Sequence, residues 1–165
     1  MTGFACDKSA HQLRVEEFMR RAGQPVAERP ALPSENIRSL RARLILEEAL
    51  ETVEALGFRV SIDSDAGLYS AVLTSRTGFD LQPCGRPSLI DIADGCADIS
   101  VVTTGTLSAC GIPDEPLLSL VDENNLAKFG PGHSFNGHGK LIKPPTHRPP
   151  DIAALLQGYT SEAVR

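Results

Sequence analysis

Glu47, Glu48 and Glu51 stand at helical spacing in this chain, and about forty residues further on Asp91, Asp94 and Asp98 do the same. A helix turns about 100° per residue, so the glutamates fall within an arc of roughly 100° and the aspartates within about 60°. Each helix thus presents a stripe of carboxylates. Like charges so placed cost a helix a few tenths of a kcal/mol per pair, which a solvated face tolerates and a cation would offset. Carboxylates without interleaved His or Cys select hard divalent ions that take oxygen ligands, Mg²⁺ or Mn²⁺, and such ions commonly handle phosphates.

Either stripe alone is also what an ordinary charged helix face carries, the more so with Arg38, Arg41 and Arg43 beside the glutamates. The pair says more, because Asp94 and Asp98 interrupt a segment made of Ile, Ala, Cys and Val. Acids in such a setting need partners. If the two helices pack antiparallel, four or more carboxylates converge. A ferritin-like di-iron site is excluded, since Leu50 and Glu51 occupy the positions where Glu-x-x-His would need histidine.

Downstream, Asn125-x-x-Lys128 closes a helical pattern and is followed by Lys140, Lys143 and Arg148 among Gly and Pro. An ammonium and a carboxamide both suit phosphate oxygens. His133 and His138 lack a neighbouring Cys or acid to complete a zinc set. The chain contains no phosphate-binding G-x-x-x-x-G-K-[ST] loop, no G-x-S-x-G elbow and no G-x-G-x-x-G fingerprint.

The elements that must position these residues follow from apolar periodicity and caps. Ser9 is placed to cap a first helix that Gly23 ends, with Leu13, Phe18 and Met19 as its apolar face. Ser34 precedes a long helix to about Leu56, with Ile37, Leu40, Leu44, Val53 and Ala55 or Leu56 as apolar positions and Gly57 as its stop. Residues 58–87 read as a hairpin or an irregular loop. Ser88 opens a central helix whose first half exposes acids and whose second half is apolar or small, closed by Gly111 and Pro113. Asp114 is placed to cap a shorter helix through Asn125, and a last short helix is expected over 151–157. The expected architecture is all-α, a single domain over 1–165 with a loop-rich C-terminal arm at 129–165.

Composition narrows the class. With 41% hydrophobic and 22% charged residues the chain is that of an ordinary globular protein. A net charge of −5 and only 5% aromatics argue against nucleic acid as a partner. Cys6, Cys84, Cys96 and Cys110 show no C-x-x-C spacing, three of them sit beside apolar or small residues in expected core segments, and all read as reduced thiols of a cytoplasmic protein. No apolar run long enough to span a membrane and no signal-peptide pattern occurs.

The motifs together resemble the all-α nucleoside triphosphate pyrophosphohydrolases, the group of MazG-like proteins, dimeric dUTPases and phosphoribosyl-ATP pyrophosphohydrolase. Glu47-Glu48-Ala49-Leu50-Glu51 matches the E-E-x-x-E motif, Ala97-Asp98 enters the expected apolar helix, and Asn125-Leu126-Ala127-Lys128 matches a downstream N-x-x-K. The tail from Gly139 to Pro145, with Pro149-Pro150-Asp151-Ile152 beyond it, is similar to that of the phosphoribosyl-ATP branch. One departure stands out: the second motif is E-x-x-D, and the position three before Asp98 is Gly95. Asp94 lies about 40° from Asp98 and is the candidate stand-in, with Asp91 one turn upstream as the other.

The resemblance implies a helical bundle completed by dimerisation, as a homodimer or homotetramer. It implies hydrolysis of a nucleoside triphosphate, or a phosphoribosyl-ATP-like nucleotide, to monophosphate and pyrophosphate in house-cleaning of the nucleotide pool. In that scheme Glu48, Glu51, Asp94 and Asp98 hold Mg²⁺ or Mn²⁺ and Glu47 acts as base. Asn125 and Lys128 grip phosphates, and Lys140 or Lys143 closes over them. The rival expectation is a non-catalytic helical interaction module that keeps the bundle and has lost the ion, for which Gly95 is the argument.

Overall fold

The computed structural model describes residues 7–61, 80–129, 131–136 and 141–161. Its described elements are mainly helical: α1 (Ala10–Arg21), α2 (Glu35–Ala55), α3 (Leu89–Ala109), α4 (Asp114–Leu126) and α5 (Ile152–Ser161), with a 3₁₀ turn at Ala127–Phe129. Two short antiparallel pairs complete the set, β1 (Phe58–Ser61) with β2 (Asp80–Pro83) and β3 (Ser134–Phe135) with β4 (Leu141–Ile142). The mostly helical expectation holds, and the hairpin reading of 58–87 holds at its two ends. The middle of that segment lies outside the described residues.

The chain divides into two compact units, Met1–Ser34 with Thr104–Arg165, and Glu35–Thr103. In the first, Ser9 caps α1 by accepting from the Gln12 amide at 2.9 Å. The buried stripe of α1 is Gln12, Val15, Glu16 and Met19, the i, i+3, i+4, i+7 set of one helix face. Leu13 and Phe18, expected inside, are 45% and 61% exposed. Polarity misled the sequence reading because the two polar members of the stripe are satisfied inside. Glu16 pairs with Lys8 at 2.6 Å and Arg20 at 2.9 Å.

Gln12 is satisfied by a denser network. Its amide nitrogen donates to Ser108 Oγ at 3.2 Å and to the Ile112 carbonyl at 2.8 Å, while its oxygen accepts from the Asp114 amide at 2.9 Å. Asp114 in turn accepts from the Ser9 amide at 2.8 Å and the Ser9 hydroxyl at 2.5 Å. This corrects the expectation that Asp114 caps α4. Pro113 stands at the N-cap without a side-chain bond, and Asp114 is the first helical residue, its carboxylate spent on Ser9. Val15, Met19 and Ala109 are the buried apolar residues around this network.

Gly111 ends α3 in a Schellman arrangement, its amide donating to the Ser108 carbonyl and that of Ile112 to the Leu107 carbonyl. Its φ is +69°, and a Cβ there would sit 2.1 Å from the Arg29 carbonyl oxygen. Only glycine fits both the left-handed turn and that close backbone approach. The adjoining link is tied to the same helix end by Ala27 donating to the Ser108 carbonyl and Ala31 to that of Cys110.

In the second unit α2 runs from Glu35 to Ala55, and only Arg41 and Thr52 on it are fully buried. Leu40, Leu46, Leu50 and Leu56 are all more than a third exposed. On α3, Leu89 and Ile90 stand 82% and 81% exposed, whereas Val102, Thr104, Ser108 and Ala109 are buried. The expected contrast between its halves is therefore present. Cys84 and Cys96 are exposed thiols and Cys110 is half-buried, which corrects the expectation that three of the four cysteines sit in core segments. No helix among the described residues is long and apolar enough to cross a membrane.

Candidate carboxylate site

The second unit carries both acid stripes, α2 placing Glu47, Glu48 and Glu51 and α3 placing Asp91, Asp94 and Asp98. Ser88 starts α3 by accepting from the Asp91 amide at 3.3 Å, so the aspartates fall in its first three turns. The two helices meet at Gly95, where an added Cβ would lie 2.5 Å from Thr52 Oγ1 and 3.2 Å from Thr52 Cα. Both residues are buried. The Thr52 hydroxyl is engaged within its own helix, donating to the Glu48 carbonyl at 2.7 Å.

Thr52 follows Glu48 by one turn and Gly95 precedes Asp98 by one turn, and the helices run antiparallel from the Ser88–Ala55 hydrogen bond, so Glu48 and Asp98 lie on the same side of this contact. Glu48 is half-buried while Glu47, Glu51, Asp94 and Asp98 are exposed. Partial withdrawal from water, and then the like charges of Asp98, Glu51, Glu47 and Asp94, push the Glu48 carboxyl above its ordinary value. Asp98 is the strongest of those charges. Four of the six acids singled out in the sequence thus act on the carboxyl of a fifth, Glu48. Asp91 is not among the groups that act on it.

The donor set is chemically suited to a hard divalent cation: oxygens only, clustered like charges and partial exposure. Among the described residues no three His, Cys, Asp or Glu side chains converge into a closed ligand set. The five acids are a loose group of like charge.

Gly95 has a different meaning from that expected of a lost ligand. The position faces α2 and is filled by Thr52, so a carboxylate there would have to displace the helix contact. Sequence reasoning missed this because Thr52 reads as an unremarkable helix residue between Glu51 and Val53.

A family model for phosphoribosyl-ATP pyrophosphohydrolase matches residues 15–125. The chain belongs to the phosphoribosyl-ATP pyrophosphohydrolase family. The matched span contains every carboxylate of the site and ends at Asn125. Membership of this family makes the chain one of the nucleotide pyrophosphohydrolases, hydrolases acting on acid anhydrides. A search of curated proteins finds no match.

The other residues read as phosphate ligands belong to the first unit. Asn125 and Lys128 do close α4 together: the Lys128 ammonium donates to Asn125 Oδ1 from the 3₁₀ turn. Lys143 is exposed just after β4. The Arg148 carbonyl accepts from Asn124 at 2.8 Å. Lys140, His138 and Cys6 lie outside the described residues. His133 sits between two phenyl rings, those of Phe129 and Phe135, an arrangement the sequence reading did not anticipate.

Proposed function

We propose that this chain hydrolyses a nucleotide between its α and β phosphates, releasing a nucleoside monophosphate and pyrophosphate. The observation that carries the reading is the family match over residues 15–125, a span that holds both acid stripes on helices in contact at Gly95 and Thr52. A cluster of like charge that raises the proton affinity of its half-buried member is poised to take a cation in place of the proton.

Glu48, Glu51, Asp94 and Asp98 would hold Mg²⁺ or Mn²⁺, which when bound supplies charge neutralisation at the phosphates and makes water more acidic. Glu47, exposed beside Glu48, would accept the proton of the attacking water. The water oxygen bonds to the α phosphorus as the bridging oxygen leaves with pyrophosphate. Asn125 and Lys128, with Lys140 and Lys143, offer donors of the kind that grip phosphate oxygens.

The same reading makes the working unit a homodimer or homotetramer. Its support is the apolar surface that α2 and the start of α3 leave uncovered, Leu40, Leu46, Leu50, Leu56, Leu89 and Ile90. A second copy of the chain would bury it. The rival reading, a non-catalytic bundle, drew on Gly95, and the Thr52 contact accounts for that glycine by packing alone.

The test is a panel of nucleoside triphosphates and phosphoribosyl-ATP with Mg²⁺ or Mn²⁺, with pyrophosphate and phosphate measured separately. Pyrophosphate with the matching monophosphate is the expected product pair. Release of single phosphates, or saturable Mn²⁺ binding without turnover of any nucleotide, would count against the reading.

A further inference from the structure

The chain has six Phe, two Tyr and no Trp. Two of those phenylalanines flank one histidine on the surface of the first unit. The His133 ring lies 5.8 Å from that of Phe129 at 62° between planes, and 6.1 Å from that of Phe135 at 87°. Edge-to-face packing of this kind fixes the rings against one another. Yet no core has claimed them, since Phe129 and Phe135 are 54% and 56% exposed.

Each ring is carried by a defined element. Phe129 ends the 3₁₀ turn that extends α4, and Phe135 lies on β3, opposite Leu141 of β4. Immediately before Phe129 stands Lys128, its ammonium on Asn125 Oδ1. The two residues are neighbours in that turn, their Cα atoms about 3.8 Å apart. Exposed aromatic faces beside a cation and a carboxamide are the parts with which proteins hold a base and its phosphates together.

We propose that the exposed rings of Phe129 and Phe135, each set edge-to-face against His133, offer a face on which the base of a bound nucleotide stacks, with Lys128 and Asn125 taking its phosphate. This rests on the reading of the chain as a nucleotide hydrolase and adds the residues that read the base. The three rings lie beyond the span matched by the family model, which ends at residue 125. Stacking is tolerant of base identity, so such a face favours a large purine surface over a pyrimidine without reading hydrogen bonds.

The experiment is calorimetric titration of the full chain with AMP, with ribose 5-phosphate, which keeps the sugar and phosphate and lacks the base, and with an oligonucleotide. Wild type is expected to bind AMP at least about tenfold more tightly than ribose 5-phosphate. Phe129→Leu and Phe135→Leu keep apolar bulk and remove the aromatic face, so they should bring that ratio close to one and leave ribose 5-phosphate binding unchanged. Lys128→Ala should weaken both ligands. Equal binding of the two ligands by wild type, or an unchanged ratio in both Leu variants, overturns the proposal. So does a preference for the oligonucleotide, or a change of oligomeric state in the Leu variants with no change in the ratio. Pyrophosphate release by the same preparations separates the two readings. Base selection lost in the Leu variants without any turnover keeps the stacking face and sinks the hydrolase, whereas turnover with an unaltered ratio does the reverse.

Discussion

Gly95 and Thr52 hold α3 against α2 at a separation that leaves no room for a methyl group: a Cβ on Gly95 would lie 2.5 Å from the Thr52 hydroxyl oxygen and 3.2 Å from Thr52 Cα. The end of α2 adjoins the start of α3, where the Ser88 amide donates to the Ala55 carbonyl, so Glu48, one turn before Thr52, and Asp98, one turn after Gly95, lie on the same side of the contact. The contact therefore sets how closely Glu48 and Asp98 approach.

Gly95→Ala should then destabilise the chain by about 1–3 kcal/mol, the usual cost of overpacking a closed contact. The Thr52 hydroxyl can rotate away but its Cα cannot, so Thr52→Ala should recover part of that loss and no more. Urea denaturation of the two single variants and the double variant measures the coupling. Additive losses would show that the two residues do not touch.

Glu48 predicts a pH dependence with a definite sign. A carboxyl whose pKa is raised by folding binds its proton more tightly in the native state, so native protein holds more protons between the ordinary value of 4.5 and the raised one. Its contribution to stability is fully present below 4.5 and is lost as the pH rises through the folded value. Glu48→Gln should show no such loss and should match wild type at low pH and exceed it at neutral pH. Thermal melts from acid to neutral pH make the comparison. Mn²⁺ should raise the neutral-pH melting temperature of wild type alone, by mass action on the native state.

Gly111→Ala should be the more damaging of the glycine substitutions. It combines a left-handed backbone with an approach of 2.1 Å to the Arg29 carbonyl, so about 3 kcal/mol or more should be lost. The same denaturation series reads it. Parity with Gly95→Ala would mean that the link around Arg29 yields freely.

Gln12 gives a prediction remote from the acids. Gln12→Leu keeps the volume but strips the partner from the Asp114 amide, the Ser108 hydroxyl and the Ile112 carbonyl, each a buried group costing about 1–3 kcal/mol if left unmet. The chain should lose several kcal/mol, or fail to fold at 37 °C. A loss below 1 kcal/mol would show that water replaces the amide.

The helices and their ends were legible in the sequence because local chemistry decides them: Ser9 and Ser88 at the starts, Gly23, Gly57 and Gly111 at the stops. The acid stripes were legible for the same reason, since spacing alone puts Glu47, Glu48 and Glu51 on one face. What spacing does not encode is the partner across a contact. Gly95 looked like an absent acid until Thr52 was seen against it, and Asp114 looked like a helix cap until Ser9 was found on its carboxylate. The buried face of α1 was misread because Gln12 and Glu16 are polar, and only the groups that satisfy them make their burial possible. The ring cluster around His133 depends on a 3₁₀ turn and a two-residue strand, elements too short to carry a periodic signal.

The central claim is that Glu48 and the acids coupled to it do the chemistry of a nucleotide pyrophosphohydrolase. The most direct measurement is pyrophosphate release by wild type and by Glu48→Gln, each confirmed as folded by its denaturation midpoint, with Mg²⁺ or Mn²⁺ and the best nucleotide of the panel. The account predicts stoichiometric monophosphate and pyrophosphate from wild type and a fall of about a hundredfold or more in the variant. Undiminished turnover in a folded Glu48→Gln protein would contradict it.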